Sequence, residues 1–372
     1  MKPRPAFQLH DEQKRIIWNL RIGGPVPRTA LAARLGIHNG AMTRISRELL
    51  TLGLVREAGA NEPGPRGRPT IPLELDPGGC YAVGATLHPG WMEVVLVDFA
   101  GRPIGRHIED FDSPDPRLFA TVLRNRIAVL ESRSEIRRAR FLGIGIAATG
   151  PSTIDGPGHR MAVSRLRGWR DVDLPELFSA ELGEAVWVEN DATLAALAEF
   201  YDGDLASATR SALVVSIGHG VAAGAILNRD LFRGDHGNAG EIGLVFPMDG
   251  PRPSGIDLLA ALQAAGEDIQ SLADIDQCLD RQAPLIDTWC TRAADQLHPV
   301  LVAGAAWLDP ETIVISGALP LAVLDTLTDR LGRHPMPHHL SVASPSLRTS
   351  RLGSAAVAIG AALLPIHALT AR

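Results

Sequence analysis

Apolar side chains along the first fifty residues recur every three or four positions, the spacing of helices that bury one face. The pattern predicts three helices, at about residues 11–21, 28–35 and 39–52. Gly36 separates the second predicted helix from the third. Because Pro27 and His38 stand where Ser or Thr would be better caps, the first residues of these two helices stay open.

Beyond the third helix the pattern changes to the alternation that is typical of strands. "GLVREAG" is followed by "RGRPTIPLELD", in which Ile71, Leu73 and Leu75 alternate, so the two segments predict a two-stranded hairpin. Two short helices joined at a glycine and followed by such a hairpin are typical of a winged helix-turn-helix. We therefore predict this domain over residues 1–76, including the linker Arg66-Gly67-Arg68-Pro69.

Residues 77–372 alternate between predicted strands and helices, the pattern of an α/β domain. The predicted strands lie in "YAVGATLH", "WMEVVLVDFAG", "FLGIGIAATG", "EAVWVEND", "SALVVSIGHGVAAGAILN" and "ETIVISGAL". Each half opens with a hairpin around a glycine-containing bend, which indicates an internal duplication. We predict a two-lobed actin-like fold of the ribonuclease H and sugar-kinase type. Its first lobe spans about 77–195 plus the C-terminal helix 351–372, and its second lobe spans about 196–350.

Formal charge is distributed unevenly along the chain. Residues 1–70 carry 12 Lys and Arg against 5 Asp and Glu, whereas the remaining residues carry 24 against 37. A basic N-terminal region joined to an acidic body is typical of a DNA-binding arm attached to a ligand-binding or assembly domain. A small helical protein-interaction module with a solvated basic loop would carry the same surplus, and it stays an alternative.

The third predicted helix carries side chains suited to base and phosphate contacts. Arginine pairs with guanine and asparagine with adenine in the major groove. Arg66 and Arg68, in the linker, can follow a narrow minor groove, whose potential attracts arginine. The predicted DNA-binding residues are Arg28, Asn39, Thr43, Arg44, Arg47, Arg66 and Arg68.

A second set of polar residues follows a predicted strand. In "WVENDATLAALAEF", Val186 and Val188 alternate as a buried strand does, Glu189-Asn190-Asp191 follow at its end, and an alanine-rich helix begins there. Polar groups at the strand ends of α/β sheets lie where ligands bind. Asp191 is therefore either a general base or a hydrogen-bonding group for a ligand.

Short motifs in a specific order run along nearly the whole chain: "GPVPRTALAARLGI", "GLVRE", "GRP", "GIGIAATGP", "VENDATLAALAE", "GHGVAAGAILN", "GNAGEIG" and "IVISGAL". Together they resemble the ROK family of repressors, open reading frames and sugar kinases, in particular its transcriptional regulators. In the family's kinases an Asn-Asp pair binds the sugar and the Asp deprotonates the attacking hydroxyl. The resemblance assigns this pair to Asn190 and Asp191, and a sugar-binding glutamate to Glu241. Gly150, in the turn of "GIGIAATGP", is added to this ligand set.

Two segments depart from the phosphate-binding loops of the family's kinases. "GATLHPGWMEV" stands where those kinases carry an Asp-x-Gly-Gly-Thr-like loop, so it has no adjacent glycine pair, and Glu93 lies inside the returning strand. "GHGVAAG" places His219 and Ala222 where the family favours Thr and Gly. Because phosphoryl transfer depends on positioning and charge neutralisation, we expect Asp191 to be inactive as a base. We expect neither enzyme activity nor a cofactor.

The resemblance also implies a zinc site and further sugar contacts, which this sequence alters. Leu244 stands in place of a His, and "VFPMDGPRPSGIDLLAAL" contains no cysteine, so we expect no metal. Asp257 is expected either to replace a sugar-binding glutamate or to stabilise the first turn of a helix. Arg165 stands where the family has a sugar-binding Asn. It would favour an acidic or phosphorylated ligand, unless it points to solvent.

Cysteine usage and hydropathy predict the compartment. Cys80, Cys278 and Cys290 are odd in number and far apart, which favours buried thiols in a reducing cytoplasm. No apolar run is expected to approach the roughly 18 residues of a membrane span, and "MKPRPAFQLHDEQKR" lacks the apolar segment of a signal peptide. We expect a cytoplasmic protein with no membrane partner.

The sequence thus predicts a DNA-binding transcriptional regulator of carbohydrate metabolism, more specifically a repressor. Its expected partners are a double-stranded DNA operator, a small carbohydrate-like effector and further copies of itself in a homodimer or a dimer of dimers. One alternative is an ATP-dependent sugar kinase with an appended DNA-binding head. Another is a regulator that has lost its effector and keeps the lobes as a dimerisation scaffold.

Overall fold

Helices and strands alternate along the chain, which is of the mixed α/β class. The computed structural model describes residues 7–59, 71–88, 90–134, 136, 139–161, 164–202, 205–247, 249–335 and 344–371, apart from the side chains of Pro157, Ser164, Arg165 and Asp202. The helices are α1 (Asp11–Gly23), α2 (Arg28–Leu35), α3 (Asn39–Thr51), α4 (Pro116–Arg133), α5 (Leu174–Leu182), α6 (Asp191–Asp202), α7 (Leu205–Ala208), α8 (Gly255–Ala264), α9 (Ala283–Leu308), α10 (Leu321–Leu331) and α11 (Ala356–Thr370). The strands are β1 (Val26–Pro27), β2 (Val55–Glu57), β3 (Pro72–Leu75), β4 (Cys80–His88), β5 (Trp91–Asp98), β6 (Pro103–Asp110), β7 (Arg140–Ala147), β8 (Ser152–Thr153), β9 (Gly156–Arg160), β10 (Val186–Glu189), β11 (Ala212–Ile217), β12 (Val221–Leu227), β13 (Asp230–Phe232), β14 (Thr312–Gly317) and β15 (Ser346–Thr349).

The chain divides into two compact units. The first unit comprises Met1–Ala148, Gly158–Glu189 and Ala361–Arg372, and the second comprises Thr149–Pro157 and Asn190–Gly360. The predicted DNA-binding residues and Arg165 therefore belong to the first unit. The other predicted ligand-binding residues, Gly150, Asn190, Asp191, Glu241 and Asp257, all belong to the second unit.

The N-terminal part of the first unit packs α1, α2 and α3 with a small antiparallel sheet in the order β1-β3-β2. Ile16, Leu31 and Ile45 are fully buried among these elements, as the helical spacing predicts. The predicted hairpin is confirmed, because β2 pairs with β3, while strand β1 was not predicted. Ile71, the first of the three alternating apolar residues, precedes β3 and is 43% exposed.

The rest of the first unit is built on a five-stranded sheet in the order β10-β7-β4-β5-β6. Strands β4, β5 and β6 form an antiparallel meander, and β7 runs parallel to both β4 and β10. Helices α4 and α5 pack together beside this sheet, and an aromatic cluster of Phe119, Trp169 and Phe178 fills the space. Strand β10 forms one edge of this sheet, and Asn190 follows it directly in the sequence.

The second unit repeats this plan with a sheet in the order β13-β12-β11-β14-β15. An antiparallel meander of β11, β12 and β13 again precedes two parallel strands, β14 and β15. The predicted internal duplication is confirmed by this identical strand order. Helix α6 packs directly on β12, where a Cβ added to Gly224 would lie 2.5 Å from the carbonyl oxygen of Ala192.

One expectation about apolar runs is wrong. Residues Gly353–Thr370 form a helical stretch of 18 residues that is long and apolar enough to cross a membrane. That stretch is 72% buried inside the structure, which is typical of a core helix. Burial on all sides removes the polar face that a surface helix would show, and so explains the uninterrupted apolar run.

Candidate functional site

Helices α2 and α3 are joined by a tight turn. Gly36 ends α2 in the left-handed region at φ +65°, a conformation that favours glycine. The ring of His38 begins α3, since its Nδ1 accepts a hydrogen bond from the backbone N–H of Gly40 at 3.2 Å. The predicted starts at Arg28 and Asn39 are confirmed, and an imidazole takes the place of the Ser or Thr cap that the sequence lacks.

Helix α3 has one buried face and one exposed face. Met42, Ile45 and Leu49 are buried against the other helices. Asn39, Thr43, Arg44 and Arg47 are all exposed. A groove of about 660 Å³ runs along this exposed side and is lined in part by Thr43, Arg44 and Arg47. Four of the predicted DNA-binding residues thus share one accessible surface.

Arg28, another predicted DNA-binding residue, has different surroundings. Arg28 is half-buried, and its guanidinium donates to Ser46 Oγ at 3.2 Å and to Glu57 Oε1 at 2.7 Å, so it ties α2 to α3 and to the hairpin. Arg66 and Arg68 lie outside the described residues. Arg28 is therefore committed to contacts within the domain.

The groove also contains a carboxylate that the sequence analysis missed. Glu48 accepts from Arg44 Nη1 at 2.7 Å and from Gln13 Nε2 at 3.1 Å, and it lies 3.4 Å from His10 Nε2. Burial acts to raise the pKa of Glu48, but hydrogen bonds from His10 and Arg44 outweigh it and lower the pKa. Glu48 is thus an ionised acid on an otherwise basic or neutral surface. The helical spacing from Arg44 to Glu48 was the available signal, because residues four apart are neighbours on a helix.

In the second unit, Asn190 lies between the end of β10 and the start of α6. Its Oδ1 accepts from the backbone N–H of Ala192 at 2.8 Å, and Asp191 Oδ1 accepts from the same N–H at 2.9 Å. Asn190 Nδ2 donates to Glu241 Oε1 at 3.1 Å. Asn190 is only 6% exposed. The structure therefore brings Asn190, Asp191 and Glu241 together at the first turn of one helix.

The loop that carries Glu241 is fixed on strand β12. Gly240 adopts φ +96°, and a Cβ there would lie 1.8 Å from the carbonyl oxygen of Ala223, so only glycine allows this approach. The backbone N–H of Ala223 donates to the Gly240 carbonyl at 2.7 Å. The Glu241 carboxylate is thereby presented to Asn190 by a rigid backbone.

Asp257, in the first turn of α8, has partners for both carboxylate oxygens. Its Oδ1 accepts from Trp289 Nε1 at 2.8 Å and from the guanidinium of Arg292, and its Oδ2 accepts from the backbone N–H of Arg252 at 3.2 Å. These contacts favour the structural alternative for Asp257. The Arg252 guanidinium in turn donates to the Gly243 carbonyl at 2.6 Å, which holds the segment after Glu241.

The predicted ligand residues also include Gly150 and Arg165. Gly150 follows strand β7 with φ +92°, a backbone conformation that favours glycine. The side chain of Arg165 lies outside the described part of the chain. Within the residues that the structure describes, no group of three or more His, Cys, Asp or Glu side chains is arranged to hold a metal ion. Leu244, at the predicted position of the family's His, is 81% exposed.

The bend between β4 and β5 lies where the resemblance implies a phosphate loop in kinases. The rings of His88 and Trp91 stack across it with their centroids 3.8 Å apart. Glu93 is fully buried in β5, and its Oε1 accepts from Arg106 Nε at 2.6 Å. Burial raises the pKa of Glu93, although the ion pair with Arg106 opposes the rise. Glu93 is thus paired inside the sheet.

A protein-family model matches residues 105–367, most of the chain. The chain belongs to the ROK family. Among curated relatives, uncharacterized protein y4fQ of Sinorhizobium fredii is 29% identical over 96% of this chain and 91% of its own length. The xylose repressor of Bacillus spizizenii is 25% identical over 65% of this chain and 62% of that repressor, so the match spans less than two thirds of its length.

Solved structures of ROK proteins share this fold. A ROK family transcriptional regulator, described as a homolog of the E. coli MLC protein, matches 97% of this chain and 97% of its own with a TM-score of 0.68 and 22% identity. The ROK hexokinase of Thermus thermophilus matches 78% of this chain and 97% of its own with a TM-score of 0.58 and 22% identity. The fold is thus common to regulators and sugar kinases of the ROK family and does not by itself distinguish the two functions.

Proposed function

We propose that this ROK protein is a DNA-binding transcriptional repressor of carbohydrate metabolism, located in the cytoplasm. The observation that carries the proposal is the order α2, Gly36 turn, α3 and hairpin β2–β3, with a polar exposed face on α3. This order of elements supports a winged helix-turn-helix, a domain whose second helix enters the major groove. We assign that domain to residues 1–76 and the two lobes to about 77–195 with 351–372, and 196–350.

The DNA contacts follow from the exposed face of α3. Asn39, Thr43, Arg44 and Arg47 are the side chains in this proposal that reach base edges or phosphates. Arg66 and Arg68 are assigned to the minor groove. Because Arg28 bonds to Ser46 and Glu57, its part in the proposal is to hold the hairpin against α3.

The effector in this proposal is a sugar or a sugar-derived molecule. Asn190 and Glu241 lie in hydrogen-bond contact next to Asp191, and an amide beside carboxylates can both donate to and accept from vicinal hydroxyl groups. Relatives named as a xylose repressor and an N-acetylglucosamine repressor support this class of ligand. Gly150 completes the proposed set within the second unit. For Arg165, in the first unit, the sequence-based prediction stands separately: an arginine favours an acidic or phosphorylated ligand. Asp257 is left out because protein groups bond both of its oxygens.

We propose further that the protein does not transfer phosphate. The β4–β5 bend carries stacked His88 and Trp91, and the nearby carboxylate of Glu93 is buried against Arg106. An ATP-binding loop needs backbone N–H groups around the phosphates and an available acid for the metal. Asp191 is then a hydrogen-bonding group for the effector. It needs no zinc or other cofactor in this role.

Regulation in this proposal works by population shift in a homodimer or a dimer of dimers. The effector prefers one conformation, and that conformation changes the spacing of two recognition helices. Two half-sites about one helical turn, roughly 34 Å, apart then no longer match the protein. Operator affinity falls as effector concentration rises.

A selection from a randomised duplex library, followed by fluorescence anisotropy at 150 mM salt, roughly physiological ionic strength, tests this function. We expect one preferred duplex with an affinity at least about a thousandfold above that of scrambled DNA. Titration with D-xylose, xylose 5-phosphate, N-acetylglucosamine and N-acetylglucosamine 6-phosphate is expected to release the selected duplex from the protein in one case. Equal affinity for selected and scrambled duplexes would contradict the proposal.

The alternative of a sugar kinase is favoured by the contact between Asn190 and Glu241 and by the hexokinase fold. A coupled ADP assay over the same sugars distinguishes the two functions. We expect turnover at background level. Turnover that is lost in Asp191→Asn would establish the kinase instead.

A further inference from the structure

We infer that Glu48 determines the sequence specificity of the DNA-binding face, by fixing Arg44 for base contact and by opposing phosphate contacts beside it. This inference rests on the proposed function and assigns a role to a residue outside the predicted DNA-binding set. The Glu48 side chain is 37% exposed, and it lies in the groove that Thr43, Arg44 and Arg47 also line. A carboxylate is unexpected on a surface that binds phosphates.

The carboxylate is held in place from a second helix. Gln13 on α1 is 6% exposed and donates Nε2 to Glu48 Oε2 at 3.1 Å. His10 caps α1, and its Nδ1 accepts from the backbone N–H of Gln13. In a neutral ring Nε2 therefore carries the hydrogen and can donate to the same carboxylate, 3.4 Å away. Glu48 thus has fixed partners on α1 in addition to Arg44.

The first consequence concerns Arg44. An exposed ion pair four residues apart on a helix contributes little stability by itself. Because α1 fixes Glu48, the carboxylate offers Arg44 Nη1 an acceptor at a defined position, 2.7 Å away. The other N–H groups of the guanidinium stay available for O6 and N7 of a guanine. Side-chain groups locked before binding lose less entropy when they bind.

The second consequence concerns phosphates. Arg44 and Arg47 would otherwise form a bare cationic surface, and arginine contacts with phosphate carry no sequence information. A carboxylate in the same groove repels any phosphate that approaches without a compensating base contact. Specificity then comes from an unfavourable element as well as a favourable one.

The test compares wild type with Glu48→Gln on the selected duplex and on a scrambled duplex. We expect Glu48→Gln to bind scrambled DNA about three- to tenfold more tightly, while its affinity for the selected duplex stays within about threefold. The ratio of the two affinities therefore falls. The salt dependence on scrambled DNA is expected to steepen by up to about one unit of slope, as Arg44 turns to phosphate.

Two further variants define the cause. Glu181→Gln is the matched control, because Glu181 on α5 also pairs with an arginine, Arg117, and the change removes the same charge. Its ratio of affinities for the selected and scrambled duplexes is expected to equal that of wild type. Glu48→Asp keeps the charge but shortens the reach to Arg44. It is expected to leave scrambled binding unchanged and to weaken the selected duplex about threefold. This variant also carries the test if Glu48→Gln fails to fold.

The outcomes distinguish a failure of the role of Glu48 from a failure of the proposed regulator function. If wild type prefers its selected duplex and both Glu48 variants keep the wild-type ratio, the role of Glu48 is overturned and the regulator function stands. If wild type shows no preference for any duplex, the proposed function is overturned, and this inference with it. A fall in the ratio for Glu181→Gln equal to that for Glu48→Gln would attribute the effect to net charge, and would also overturn the inference.

Discussion

The guanidinium of Arg21 on α1 lies over the ring of Phe99, 5.5 Å from its centroid, and donates Nη2 to the Phe99 carbonyl at 2.8 Å. Its Nη1 donates to the next carbonyl, that of Ala100, at 2.9 Å. Lys14 on the same helix donates to the carbonyl of Ala371, beyond the end of α11, at 2.8 Å. The helical N-terminal part is therefore fastened to the rest of the first unit by side chains as well as by the chain itself.

Substitution of Arg21 by Ala is expected to loosen this attachment. Two carbonyl groups lose a charged donor, and hydrogen bonds to charged groups contribute roughly 1.5–3 kcal/mol each. Because Arg21 is only half-buried, we expect both bonds to contribute at the lower end of this range, so the free energy of unfolding falls by about 3 kcal/mol. Amide exchange in α1 should accelerate. Arg56→Ala is the control, because Arg56 is 55% exposed in a surface pair with Glu74. Urea unfolding that is equally affected by both substitutions would contradict the anchoring role of Arg21.

Substitution of Asn190 by Ala is expected to weaken effector binding. The change removes the amide that bonds Glu241 and leaves sugar hydroxyls without their donor. A ligand at about 100 times its dissociation constant raises the unfolding free energy by about 2.7 kcal/mol, and we expect at least half of that gain to disappear. Thermal denaturation with the sugar that releases DNA measures it. Glu311→Gln, an exposed residue before β14, serves as the control and should keep the full gain.

Substitution of Asp257 by Asn tests its structural role. The acceptor for the guanidinium of Arg292 loses its charge, and the bond from Trp289 Nε1 is weakened. We expect a loss of about 1–3 kcal/mol in unfolding free energy, since both donors are only partly solvated. Asp280→Asn, an exposed residue before α9, should change little. Unchanged stability together with a lost effector response would instead make Asp257 a ligand contact.

Buried thiols give a pH dependence of stability. Burial raises the pKa of both Cys80 and Cys290 to about 12. A thiol in the unfolded chain has a pKa of about 8.5. Above that pH the unfolded state loses protons that the folded state keeps. Stability from these groups is therefore complete below about pH 8.5 and declines as pH rises towards the folded pKa.

Thiol labelling checks the burial of the two thiols on which this pH dependence rests. At pH 8 we expect iodoacetamide to modify Cys80 and Cys290 only after unfolding in urea, because the thiolate is the nucleophile and both side chains are inaccessible. A Cys80→Ala, Cys290→Ala variant should show a shallower decline of stability at alkaline pH than wild type. Rapid labelling in native buffer would contradict the burial of these residues.

Local sequence patterns were sufficient for most of the secondary structure. Helices α1, α2 and α3 and hairpins β4–β5 and β11–β12 follow from spacing and glycine position, because hydrophobic period and backbone preference are properties of neighbouring residues. Strand β1 escaped prediction because it has only two residues, one of them Pro27, and exists only through pairing with β3. The C-terminal helix was predicted, but the length of its apolar run was underestimated; the run is visible in the sequence, and only its burial required the structure.

In the candidate site, too, the sequence identified some residues, whereas other contacts became known only from the structure. Asn190 and Asp191 were identified from the strand-to-helix transition around them, whereas Glu241 came from a motif 51 positions later. The anchoring of Glu48 by Gln13 joins residues 35 positions apart, and no local pattern indicates it. Asp257 was left with two roles until its contacts with Trp289 and Arg292 on α9 were known.

By itself, the sequence determined where elements begin, which faces they bury and which polar residues follow a strand, because these depend on dihedral preferences and on hydrophobic spacing. The tertiary structure alone decided which polar groups are already satisfied and which meet at one place. Hydrogen bonding acts over about 3 Å in space, and the chain brings residues to that distance without regard to their separation in sequence.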